Sequence, residues 1–247
     1  MATSRAAATS VGPDLASTGG ATHEVLAVVL QVRAAALQVL LWRHDRGPAA
    51  GSWALPGGPL ADNQTLGQSI AHQLADKVDV PHLAHLEQLE TRSDLDRVPG
   101  RRVLATAYLG LVAADEPSVI PADARWHPVD ALPPMAFDHA SISASGVRRL
   151  RAKLCYTNLG FALAPTVFTA SELQAVYQAA LGHDVSATNL KRILLRRQQI
   201  VETGTVSPPG RSGGRPAAEY RFRARQIEVT DQFAVLRPPG PPRTLTG

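Results

Sequence analysis

The stretch Ser186-Ala-Thr-Asn-Leu-Lys-Arg-Ile-Leu-Leu-Arg-Arg197 joins a polar start to four cations, Lys191, Arg192, Arg196 and Arg197. At helical spacing Leu190, Ile193 and Leu194 share one side, and Asn189, Arg192 and Arg196 share another. Burying the first side turns the second outward. Such a face suits a nucleic acid duplex, because guanidinium and ammonium groups neutralise phosphates while Thr188 and Asn189, near the helix start, can reach base edges in a major groove. Downstream, Arg211 and Arg215 stand in the loop Pro208-Pro-Gly-Arg-Ser-Gly-Gly-Arg-Pro216, whose glycines let them approach a phosphate or a narrow minor groove. The competing reading is a solvated basic helix beside a loose arginine loop. Against it, the cations cluster in two pieces that would face one duplex, while Glu172 and Asp184 lie off that surface. RNA is less favoured, since no aromatic stacking platform accompanies the cations.

These side chains need a scaffold. A helical pattern through Leu173, Val176, Tyr177, Ala180 and Leu181 precedes them, with Thr169 or Ser171 as cap and Gly182 as stop, and Ser186 caps the basic helix. With wing strands at Gln199 to Gly204 and Glu219 to Phe222, the segment reads as a winged helix. The N-terminal half has a different texture. Strands are expected from Glu24 to Val32 and from Ala36 to Arg43. A turn-prone Gly51 to Gly58 then leads into a helix carrying Leu66, Ile70 and Leu74. Another strand is expected from Arg101 to Val112, the proline-broken stretch Pro117 to Pro134 reads mostly as connection, and Asp138 would cap a helix running to about Leu154. The expected organisation is a disordered tail at 1–22, a first domain at 23–154, a winged helix domain at 155–237 and a disordered tail at 238–247.

Composition sets limits on this scheme. The chain has 247 residues, 45% hydrophobic and 19% charged, enough for two packed domains. A net charge of +4 permits a polyanionic partner. Its single Cys155 excludes an intramolecular disulfide framework and any multi-cysteine zinc site, which fits a reducing, cytoplasmic location. No apolar run is long enough to suggest a bilayer span, and the first residues lack the apolar core of a signal peptide.

The segment Trp53-Ala-Leu-Pro-Gly-Gly58 and the helix after it resemble the Nudix family, whose signature is Gly-x5-Glu-x7-Arg-Glu-U-x-Glu-Glu-x-Gly-U, with U aliphatic. The resemblance implies a mixed-sheet α/β/α sandwich. In active members acidic side chains at i, i+3 and i+4 hold a hard cation beside a diphosphate. Laid on Gly58, the matching positions here are Gln64, His72, Gln73, Asp76 and Lys77, and Asp79 stands at the family's loop glycine. Leu74 and Val80 keep the aliphatic positions, so the helix can pack while only Asp76 keeps a carboxylate. The expectation is a domain that binds a nucleotide without cutting it: no catalytic residues, no metal and no cofactor. The plainer reading is a common turn followed by an ordinary core helix.

A decayed Nudix domain joined to a winged helix resembles the NrtR-type regulators of NAD metabolism, and the fold class expected is α+β. Trp53 to Gly58, Ala136-Phe-Asp-His139, Phe168 to Gln174, and Gly214 to Ala217 leading into Tyr220 to Phe222 carry the likeness together. It implies a homodimer that reads a palindromic operator on double-stranded DNA, represses genes of NAD synthesis or salvage, and is released by ADP-ribose or a related nucleotide. For the ligand, Arg43, Arg101 and Arg102 would face the diphosphate, and Trp53 or Phe137 would stack. Two alternatives stay open: an ADP-ribose hydrolase with an accessory C-terminal domain, and an adaptor that binds neither DNA nor nucleotide.

Overall fold

The computed structural model describes residues 20–44, 49–80, 82–117, 120–208 and 216–231. The expected tails therefore lie outside the described residues, apart from 20–22, where Thr22 already opens the first strand.

Strand β1, Thr22–Arg33, organises the N-terminal half. Its side chains alternate between two apolar clusters, Leu26, Val28 and Leu30 on one face and Val25, Ala27 and Val29 on the other. A strand buried on both faces reads as one unbroken apolar run. Strand β2, Ala36–Arg43, folds back antiparallel through a two-residue turn in which Ala34 and Ala35 both hold positive φ, 47° and 59°. That turn geometry matches the twist of the paired strands. The sheet continues as β3 (Trp53–Ala54), β2, β1, β6 (Val103–Val112) and β5 (His85–Arg92), with β4 (Gly57–Pro59) added on β1 and β7 (Ala124–Pro128) on β2. Strand β6 runs parallel to β1 and the other pairings are antiparallel, so the sheet is mixed.

Helix α1, Leu66–Val78, lays Ile70, Leu74 and Val78 on one face, and helix α2, His139–Tyr156, lays Ile142, Leu150 and Leu154 on the other. A capping box between Thr65 and Gln68 starts α1, and Asp79 ends it in the left-handed region at φ 49°. Glycine is the usual residue in that conformation, and aspartate is among the few others that tolerate it. The helix can therefore close with aspartate at the signature's glycine position.

Beyond a buried 3-10 turn at Leu159–Ala162, β8 (Phe168–Thr169), α3 (Ala170–Leu181), α4 (Ala187–Arg196), β9 (Ile200–Ser207) and β10 (Ala217–Phe222) form the winged helix, with sheet order β8, β10, β9. Phe168, Leu173, Tyr177, Leu194 and Phe222 belong to the same apolar cluster as Leu26, Leu30 and Leu150. The two halves thus share a core.

Three local expectations are corrected. The strand expected from Arg101 begins at Val103. The proline-broken stretch holds β7, whose Trp126 is buried between α1 and the sheet. Asp138 sits at the start of α2 without capping it, because its carboxylate is committed to Arg97.

Candidate functional site

A cavity of about 370 Å³ opens at the sheet end where β1 begins, walled by His23, Glu24, His44, Pro59, Arg101 and Phe137. A second hollow of about 640 Å³ shares Phe137 and adds Arg92, Asp94, Asp96 and Arg97. Both fall in the size range of small-molecule sites. Between them lies Arg97, whose side chain is 1% exposed. It donates to Glu24 at 2.7 Å and, through Nε and Nη2, to both carboxylate oxygens of Asp138 at 3.2 and 2.8 Å. Burial works against its charge, but the hydrogen bonds to Asp138 and Glu24 outweigh it and raise the pKa above the ordinary arginine value. Phe137 holds φ at 49° and is 38% exposed. A bulky residue in that region is a strained one, and strain of this kind gathers at ligand clamps.

Of the five residues expected at the ligand, the structure brings Arg101 and Phe137 together on the cavity wall. Arg102 instead donates to the carbonyls of Ser93 and Asp94, tying the loop after β5. Arg43 donates to the Gly51 carbonyl at 3.0 Å and lies 6.0 Å from the ring of Trp53. Trp53 packs against His127 and the main core, so this pair sits apart from the 370 Å³ cavity. The sequence reading missed His23, Glu24, His44 and Arg97. Only the polar His23-Glu24 pair just before the apolar run was a local signal.

The signature segment lies beside this cavity. Gly57 packs so closely on β1 that a Cβ there would fall 2.1 Å from the Val25 carbonyl oxygen, and the Gln73 side chain presses on Gly58. Lys77 donates to the Gly57 carbonyl at 2.5 Å, and its ammonium lies 4.5 Å from the centre of the Trp42 ring. Asp76 pairs with His72 at 2.9 Å on the outer face, where the two side chains are 61% and 56% exposed. Nearby, His139 is buried and its Nδ1 accepts from the Leu55 N–H, which leaves the proton of the neutral ring on Nε2. Desolvation lowers its pKa to about 4.

In the C-terminal half, Thr169 and Glu172 form a capping box for α3, Gly182 ends that helix at φ 77°, and Ser186 caps α4. A side chain at Gly182 would also meet the Arg151 guanidinium at 2.6 Å, so the turn between the helices lies directly on α2. Leu190 and Leu194 face inward while Thr188, Asn189, Arg192 and Arg196 are exposed. Arg192 donates to the Asn189 side chain at 2.7 Å, and Lys191 leans over Tyr220 of the wing at 5.8 Å. The structure therefore brings five of the seven expected DNA residues onto one helix, and Arg211 and Arg215 lie outside the described residues. Arg197, at the end of α4, donates to the Cys155 carbonyl of α2 and to Asp231. Arg151 of α2 donates to the Ala180 carbonyl at the end of α3. Both helices of the winged domain are thus held by α2.

Comparison with known proteins agrees with this geometry. The family described as NrtR DNA-binding winged helix domain matches residues 160–222. The ADPR responsive transcriptional repressor NtrR of Acinetobacter baylyi is 32% identical over 204 residues, covering 78% of this chain and 78% of that protein. The crystal structure of Shewanella oneidensis NrtR complexed with a 27mer DNA superposes with TM-score 0.69 and 28% identity over 81% of this chain and 93% of that one. A MutT/nudix family protein from Enterococcus faecalis shares the fold with TM-score 0.68 and 23% identity, over 84% and 90% of the two chains.

Proposed function

The chain belongs to the NrtR family of transcriptional regulators, and on that premise we propose that it is a cytoplasmic, homodimeric repressor of genes for NAD synthesis or salvage, released from a palindromic operator by ADP-ribose or a related nucleotide. The observation that carries this reading is the outer face of α4, where Thr188, Asn189, Arg192 and Arg196 lie exposed on a helix seated by its apolar side. Asn189 and Arg192 suit base edges, and Lys191 and Arg196 suit phosphates. A two-fold dimer would present two such helices to two half-sites. Among the described residues, no helix is long and apolar enough to cross a membrane.

In the N-terminal half, Arg101 and Phe137 would meet the ligand's phosphates and base, with Arg102 steadying the loop after β5, while Arg43 and Trp53 lie off this cavity. Occupancy without hydrolysis fits the donor set. A divalent cation needs several oxygen ligands. Here the signature face offers Gln73, an ammonium, and an Asp76 turned to solvent against His72. Those residues do not fit a resident metal. The ligand acts by binding the DNA-incompetent arrangement more tightly than the competent one.

Gel retardation of a duplex from the gene's own upstream region tests the DNA reading. Retardation should weaken as salt rises, and Arg192→Ala should lower affinity by about 1–3 kcal/mol, roughly 5- to 150-fold, without changing the melting temperature. Unchanged binding by this variant would remove α4 as the recognition helix. Release of AMP from ADP-ribose with magnesium or manganese would favour a hydrolase instead.

A further inference from the structure

Beyond β10 the chain turns back to the far end of α2. Arg223 first meets the turn after α4, its N–H donating to the Gln199 carbonyl at 2.8 Å and its guanidinium to the Gln198 side chain at 2.7 Å. Residues 226–231 then run beside the residues that end α2. The buried Asn158 amide spends both of its polar atoms there, donating to the Gln226 carbonyl at 2.9 Å and accepting from the Glu228 N–H at 2.7 Å. Thr157 pairs with Val229 in an antiparallel bridge, and the Tyr156 carbonyl accepts from the N–H groups of Thr230 and Asp231. At its end the segment reaches the exit of α4. Gln199 donates to the Thr230 hydroxyl, and the Arg197 guanidinium donates both to the Cys155 carbonyl of α2 and to the Asp231 carboxylate. Arg197 is thereby withdrawn from the exposed face that carries Arg192 and Arg196, its side chain 22% exposed. Little apolar burial holds the segment, since Ile227 and Val229 are 40% and 56% exposed. Its place rests on directional hydrogen bonds, which fix position where burial alone does not.

We propose that residues 226–231 form a strap that positions the recognition helix α4, with Asp231 acting as a positioning residue through Arg197. This deepens the DNA reading above and rests on it. Helix α4 is gripped near its start by the turn at Gly182, which lies on Arg151, and at its end by Arg197. Slack at that end lets the helix tilt and roll against α2. A base-edge contact is lost when its geometry slips by about 0.5 Å, whereas attraction to phosphates falls off slowly with distance. The strap therefore serves sequence reading and hardly affects general attraction to DNA. The sign of the effect separates the two. If Asp231 acted only through its charge, removing it would strengthen binding to a polyanion. As a positioning residue, its removal weakens binding to the operator.

Fluorescence anisotropy of the full chain with a labelled upstream duplex, and with a scrambled duplex of the same composition, tests the assignment. Asp231→Asn should weaken binding to the upstream duplex about threefold or more, while binding to the scrambled duplex holds or tightens and the melting temperature is unchanged. Asp231→Glu should keep most of the wild-type affinity. Thr230→Val, which changes no charge, should also weaken binding to the upstream duplex alone. In an Arg197→Met background, Asp231→Asn should add nothing further. Upstream binding that Asp231→Asn leaves unchanged or tightens, or a loss that is equal on both duplexes, overturns the assignment alone. A wild type that binds the two duplexes alike, or binds neither, overturns the DNA reading and the assignment with it.

Discussion

Arg97 shows how a single side chain can build the wall of a cavity. Its guanidinium joins Glu24, at the start of the central strand, to Asp138, at the start of α2, and thereby fixes the wall that carries Phe137. Removing one partner from a buried ion pair leaves the others uncompensated, a loss of about 3–5 kcal/mol. Glu24 and Asp138 are 25% and 21% exposed, so solvent relieves part of that penalty. Arg97→Met should accordingly destabilise the chain by about 3 kcal/mol in urea unfolding, and it should weaken nucleotide binding as Phe137 loses its support. A loss below about 1 kcal/mol, the size of a surface pair, would show that the trio is not structural. None of this was legible locally, because the partners lie 73 and 41 residues away. Arg43 and Arg102 looked equally able to face a ligand, and backbone carbonyls claimed both.

At the scale of elements, what could be read depended on whether the pattern was self-contained. Helices α1, α3 and α4 declared themselves through four-residue apolar spacing, the last two also through a cap, and β1 and β2 through runs of Val and Leu. Strand β5 was missed because His85-Leu-Glu-Gln-Leu-Glu-Thr-Arg92 is mostly polar and half-buried, held by pairing with β6 and by charges on α2. Those charges converge on Glu87, which takes Lys153, Arg149 and His85 as partners. Burial raises its pKa, but hydrogen bonds from His85 and Lys153 and the Lys153 charge prevail and hold it at about 2. An unfolded glutamate titrates near 4.3, so this contribution is complete above about pH 4.3 and is lost as pH falls toward 2, at most about 3 kcal/mol. His139 acts in a higher window. Burial holds it at about 4. The unfolded chain therefore takes up its proton first, and stability falls between about pH 6.5 and 4. Urea unfolding followed against pH should show both losses. Lys153→Met should flatten the lower one and leave the upper one in place, whereas an unchanged acid limb would remove Glu87 from the account.

On the scale of the whole molecule, the N-terminal half and the winged helix half share one apolar cluster, and α2 holds the far ends of both α3 and α4. A change in the sheet end near Phe137 and Asp138 acts at the start of the same helix whose last turn carries the Cys155 carbonyl bound by Arg197. This contiguity would give the proposed nucleotide and operator a common element to bias, and any coupling between them must be reciprocal. Fluorescence anisotropy of a labelled upstream duplex, titrated with the chain at increasing ADP-ribose in EDTA, measures that coupling directly. Saturating ADP-ribose should raise the Kd for DNA about tenfold or more, a coupling of at least about 1.4 kcal/mol. An unchanged Kd under conditions where calorimetry shows the nucleotide site filled would contradict it.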